Sequence, residues 1–227
     1  DHFELFILIL TPFYLLFQSP IALLVLQIFF VGLSAWPLYL IAREKFAVHW
    51  SLLISIIFLL NPFVLNLLFF EFHILPFAIP LLLFVMYFYL KNKFAPFCIF
   101  LFLSLLVRED VSWVIFMVGL LALIDRKKIK WVLVPIIAGA VWFVLAMKLS
   151  GYYNQYGSYK FLYMYAWLGN TPHEMLIHLI TKPLEVLRQV FSLRNGLLVT
   201  ILLIPVGGIS LLKARYLVPT VLIMGQF

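Results

Sequence analysis

Cysteine is nearly missing from this chain. The single Cys98 lies in an apolar run, so no disulfide framework and no cysteine-based metal site can be built, and the residue reads as packing. Charge is also scarce, at 11% of 227 residues against 66% hydrophobic ones. Apolar runs of 14 to 24 residues recur throughout, a pattern that belongs in lipid and excludes a water-soluble domain. There is no Gly-rich phosphate loop, no HExxH pair and no nucleophile elbow. The few basic runs follow membrane topology and give no reason to expect nucleic-acid binding. The chain has no Met at its start and stops inside an apolar run begun at Tyr216, so it is expected to be cut at both ends.

What remains is an all-α pattern, read as a polytopic transmembrane helix bundle forming a single, partial membrane domain over 1–227. The candidate helices are a short run at 3–17, then 20–42, 47–70, 74–90, 94–107, 111–124, 131–147 and 196–212, followed by the interrupted last run. Basic turns follow every second run: Arg43 and Lys45; Lys91 and Lys93; Arg126, Lys127, Lys128 and Lys130; Lys213 and Arg215. A simple up-down weave puts these ten of the 16 basic residues on one side, which the positive-inside rule assigns to the cytoplasm.

The weave requires that 94–124 be two segments, with the turn at Arg108, Glu109 and Asp110. As one helix it would send two basic turns to opposite sides and place three ionisable groups near mid-bilayer, where each costs about 2.5–3.5 kcal/mol. Each arm of a hairpin spans roughly 21 Å against a hydrocarbon core of about 30 Å, so the turn is expected below the non-cytoplasmic surface. Charges at that depth face a water-filled cavity or pair with one another. The plain alternative is a self-paired structural turn, although two carboxylates against one Arg leave a charge over.

On the same face the weave places "FEFH", with Glu71 and His73, and the outer loop and interfacial helix of 150–195. The 3–17 run is short and carries Pro12, so it is read as interfacial or re-entrant. That reading keeps Asp1, His2 and Glu4 outside as well, so that seven of the nine acidic residues lie outside, Asp1 and Glu4 among them, and only Glu44 and Asp125 lie inside. Six of the eleven tyrosines lie between Tyr152 and Tyr165, Tyr156 and Tyr159 among them, and either anchor the chain at the interface or stack on a ligand. In "TPHEMLIHLITKPLEVLRQVF", Thr171 as N-cap, Pro172 at the first helical position and Glu174 predict an amphipathic surface helix kinked near Pro183. Asn61 with Pro62, and Asn66, mark a fraying or kinked end of a span.

The order "DHF", "FEFH", "RED" and "LGNTPHEML", with Pro residues between, resembles an uncharacterised family of predicted membrane proteins of unknown function. That family looks related to the GT-C glycosyltransferases, which use polyprenyl-phosphate-linked sugars on the non-cytoplasmic side. The resemblance implies a GT-C-like bundle in the cell membrane, a part of the cell-envelope machinery, with the lipid bilayer and a polyprenyl-phosphate sugar as partners. It implies catalytic carboxylates among Asp1, Glu109 and Asp110. Substrate contacts would come from His2, Arg108, Tyr156 and Tyr159, and a divalent metal, Mg or Mn, would sit at Glu71 and His73. The family pattern Asp-Phe-His-Pro-Glu reads Glu71, Phe72, His73, Ile74, Leu75 here, one carboxylate fewer. GT-C enzymes also place a catalytic Asp in the first outer loop, just after the first span, and that span with at least part of that loop is expected to lie outside this sequence. For Glu71 and His73 a helix-capping role is the alternative. A transporter or lipid flippase with the same charged cavity is the competing class.

Overall fold

Proline and small polar side chains decide where the apolar runs break. The computed structural model describes residues 2–69, 71–153, 166–169, 172–193, 195–197, 200 and 215–219, and every regular element among them is a helix. The chain gathers into two compact units, Glu4–Val111 and Asp1–Phe3 with Ser112–Phe227.

The Glu4–Val111 unit opens with α1 (Ile7–Phe17), whose 11 residues reach about 16 Å, half the thickness of the hydrocarbon core. Ser19 then caps α2 (Pro20–Leu33) by accepting from the Ile21 N–H at 3.3 Å, with Pro20 at the first helical position. α3 (Ala35–Arg43) continues α2. The interruption at Ser34 follows from Pro37, which lacks the N–H that the Leu33 carbonyl would accept. Together Pro20–Arg43 make 24 residues, long and apolar enough to cross a membrane.

The run expected as one helix over 47–70 is two, α4 (Val48–Leu59) and α5 (Pro62–Phe69), bent by 49°. Pro62 has no N–H to give the Phe58 carbonyl, which accepts from the Asn61 N–H at 3.1 Å instead, and the Asn61 side-chain oxygen accepts from the Phe63 N–H at 2.9 Å, so a new helix starts on a new axis. After a 3-10 turn at Leu75–Phe77 come α6 (Ala78–Leu90) and α7 (Phe94–Leu105). The turn between them works because Asn92 adopts a left-handed φ of 54° while the Lys93 N–H donates to the Phe88 carbonyl at 3.0 Å. Phe84 stacks on Phe100 with centroids 4.6 Å apart and Tyr89 meets Phe97 at 6.3 Å, the register of an antiparallel pair. α3 packs on α4 and α6, where Ser55 donates to the Ala35 carbonyl at 3.2 Å and Trp36 sets its edge on Phe84. Outward, Leu16, Ile21, Phe29, Trp50 and Ile56 are exposed, a surface suited to lipid tails and not to water.

Lys91 and Glu44 meet at 2.7 Å, so the basic turns after α3 and after α6 share one end of this unit. The hydrogen bond that the Lys91 ammonium donates to the Glu44 carboxylate raises the lysine's pKa above its ordinary value.

In the other unit, α8 (Val111–Ile124) and α9 (Ile129–Tyr153) approach closely through glycine. A Cβ on Gly119 would lie 2.6 Å from Ile136 Cγ1 and 2.9 Å from the Val132 oxygen. One on Gly139 would lie 2.6 Å from the Ser112 oxygen and 2.9 Å from the Phe116 nitrogen. As numbers rise along α8 they fall along α9, so the two are antiparallel. Their turn carries Asp125, and Arg215 sits 2.9 Å from its carboxylate, bringing a later basic residue to the same end. α9 runs past 147, where the sequence pattern stopped, and carries Lys148 to Tyr153 as helix. The predicted kink near Pro183 is a full break between α10 (Pro172–Thr181) and α11 (Pro183–Val190), bridged by Glu185 to His178 at 3.3 Å and to Lys182 at 3.4 Å. Thr171 and most of 196–212 lie outside the described residues.

Candidate functional site

The run 94–124 is two helices, as the charge pattern requires, and the break carries the three ionisable residues. α7 ends in a tightened turn in which the Val107 N–H donates to the Ser104 carbonyl at 3.1 Å. α8 begins where the Val111 N–H donates to the Arg108 carbonyl at 3.2 Å. Between these turns Arg108 folds back onto Asp110 in a bidentate pair, Nε to Oδ1 at 2.9 Å and Nη2 to Oδ2, with only 20% and 21% of the two side chains exposed. Glu109, between them in sequence, is buried, at 1% exposure. Glu109 and, more weakly, Glu4 also bear electrostatically on the Arg108 guanidinium.

Non-local contacts fix this turn in place. The Phe6 N–H donates to the Leu106 carbonyl at 2.7 Å, and the Phe6 ring packs on Phe77 with centroids 5.5 Å apart and on Phe30 at 6.5 Å. Phe77 in turn meets Phe72 at 6.2 Å. The Arg108–Asp110 turn, the segment before α1 and the loop with Glu71 and His73 therefore gather at one end of the unit. The antiparallel α6–α7 pair places the Lys91–Glu44 contact at the opposite end.

His73 Nδ1 lies 2.8 Å from the Glu71 carbonyl, to which it donates, and Nε2 lies 4.0 Å from Glu71 Oε1. An imidazole nitrogen and a carboxylate oxygen are donor types that divalent ions take, and the two side chains are 48% and 77% exposed. Among the described residues no group of three or more His, Cys, Asp or Glu side chains is arranged to hold a metal.

The loop itself is held by Gln27, buried at 1% exposure in α2. Its Nε2 donates to the Leu67 carbonyl at 2.9 Å and its Oε1 accepts from the His73 N–H at 2.8 Å. Neither Gln27 nor Glu4 figured among the expected site residues. The signal for Gln27 was present, as the lone polar side chain in "IALLVLQIFF". Glu4 lies two residues from Phe6, whose hydrogen bond to Leu106 joins stretches far apart in sequence and leaves no local trace.

Of the expected residues, the fold brings together Arg108, Glu109 and Asp110, and pairs Glu71 with His73. His2 is half-buried and belongs to the unit with α8 and α9. Asp1, Tyr156 and Tyr159 lie outside the described residues.

No curated protein and no solved structure matches the chain. One family model, described as predicted membrane protein (DUF2079), matches residues 1–225. With spans long enough for a bilayer, apolar side chains turned outward and a match covering almost every residue, the chain belongs to this DUF2079 family of predicted membrane proteins.

Proposed function

We propose that this protein is a GT-C-like membrane glycosyltransferase that takes a sugar from a polyprenyl-phosphate donor on the non-cytoplasmic face of the cell membrane. The observation that carries the reading is the Arg108–Glu109–Asp110 turn, a buried carboxylate beside a preorganised guanidinium at the end of its unit away from the basic turns. In an inverting transfer the acceptor oxygen bonds to the anomeric carbon as the bond from that carbon to the donor phosphate breaks. The acceptor proton passes to a carboxylate and the polyprenyl phosphate departs with the electron pair. Arg108 is the group for the phosphate, and Asp110, by fixing the guanidinium fork, orients it. Glu109 is the base this chain best supplies, with Asp1 as the further carboxylate of the set. His2, Tyr156 and Tyr159 complete the substrate contacts in this reading. A Mg or Mn ion held by Glu71 and His73 would offset charge on the leaving phosphate. The amphipathic α10–α11 segment suits a donor whose tail stays in the bilayer while its head enters the site.

Transport is the second reading, favoured by the bent pair α4–α5, since broken helices build transporter sites. Full-length protein in proteoliposomes separates the two. Transfer from a polyprenyl-phosphate sugar, reduced at least tenfold by Arg108→Ala and absent with nucleotide sugars, is the expected result. Turnover of a nucleotide sugar, or solute uptake without binding of any polyprenyl phosphate across a panel of sugars, would overturn it.

A further inference from the structure

We propose that Gln27 is the positioning residue for the Glu71–His73 pair, a clamp on α2 that closes both ends of the loop bearing these side chains. What the pair does rests on the glycosyltransferase reading; how it is held does not.

Leu67 lies in the last turn of α5, where carbonyls have no partner within the helix, and its oxygen takes a hydrogen from Gln27 Nε2 at 2.9 Å. The His73 N–H comes two residues before the 3-10 turn at Leu75–Phe77 and gives its hydrogen to Gln27 Oε1 at 2.8 Å. One side chain thus ties the end of α5 to the start of the next element, across the bend of the chain. The amide has one workable orientation, because a carbonyl needs a donor and an N–H needs an acceptor. Gln27 is 1% exposed in a helix that passes for a membrane span, so losing either bond would strand a polar group without water. The His73 ring adds a second restraint through Nδ1 on the Glu71 carbonyl at 2.8 Å. With its backbone nitrogen held by Gln27 and its ring by the Glu71 carbonyl, His73 sets Nε2 4.0 Å from the Glu71 carboxylate. A Leu or Met at position 27 would fill the same volume and hold nothing. An amide there answers to the loop, not to the packing of α2.

The test uses full-length protein in lipid nanodiscs and residue-resolved hydrogen–deuterium exchange. Gln27→Met should speed exchange at the His73 amide about tenfold or more, the factor expected when a bond worth about 1.4 kcal/mol is lost. The Lys93 amide, at the far end of the unit, should be unchanged. Gln27→Glu keeps an acceptor and should retain protection at His73, whereas Gln27→Asn, one methylene shorter, should lose it. Unchanged His73 exchange in Gln27→Met would overturn the clamp. Should that variant fail to fold, equal protection in the Glu and Asn variants would overturn it instead. Sugar transfer by the same proteins is a separate arm: lost protection with transfer intact keeps the clamp and retires the functional role of the pair.

Discussion

A turn with three ionisable residues has two carboxylates for one guanidinium, and the backbone decides which is chosen. Asp110, two residues on, presents a short carboxylate that both nitrogens of Arg108 reach together, and Glu109 is left in the buried position. The pair is about four-fifths buried, between the exposed case worth little and the fully buried case in which losing one partner costs several kcal/mol. Arg108→Ala and Asp110→Ala should each destabilise the protein by about 1–3 kcal/mol. The double variant should recover about 1 kcal/mol or more of their sum, read by unfolding in detergent. Fully additive losses would show that the pair does not couple.

At the scale of elements, prolines alone do not say how a helix will bend. Pro62 and Pro183 coincide with breaks because a new helix begins on them, at Asn61–Pro62 with a side-chain cap already in place. Pro12 and Pro135 remain inside α1 and α9. Glycine shows the same dependence on neighbours. At Gly139 a Cβ would meet backbone atoms of Ser112 and Phe116, whereas at Gly32 it would meet nothing within 4 Å. Gly139→Ala should therefore cost about 1–3 kcal/mol, since backbone cannot rotate away. Gly32→Ala should be neutral or stabilise by up to about 1 kcal/mol, because Ala is the better helix former. Thermal unfolding of the two variants checks the difference in sign. Similar losses at both positions would mean that α8 and α9 do not meet through Gly139.

For the molecule as a whole, the prediction concerns sidedness. Each unit brings basic residues to one end, Lys91 to Glu44 in one and Arg215 to Asp125 beside Lys127 in the other. The weave assigns both ends to the cytoplasm. Single cysteines placed beside Lys91 and beside Lys127, in a Cys98→Ser background, should be labelled only from the cytoplasmic side. Labelling from opposite sides would remove the weave and, with it, the placing of Arg108, Glu109 and Asp110 on the outer face.

The sequence by itself determined that the chain belongs in a membrane, that its regular structure is helical, that 94–124 is two helices and that a turn with three ionisable groups lies between them. These follow from transfer free energies and from the cost of charge in lipid, which depend on composition along a single stretch of chain. Tertiary structure decided which carboxylate pairs with Arg108, that Glu109 is buried, and that Gln27 reaches a residue 46 positions away. It also decided that Gly119 and Gly139 are contact points while Gly32 is not. Those outcomes are set by the register in which helices pack, and no local stretch of sequence records that register, because a hydrogen bond or a close approach needs the second partner's position as well as the first.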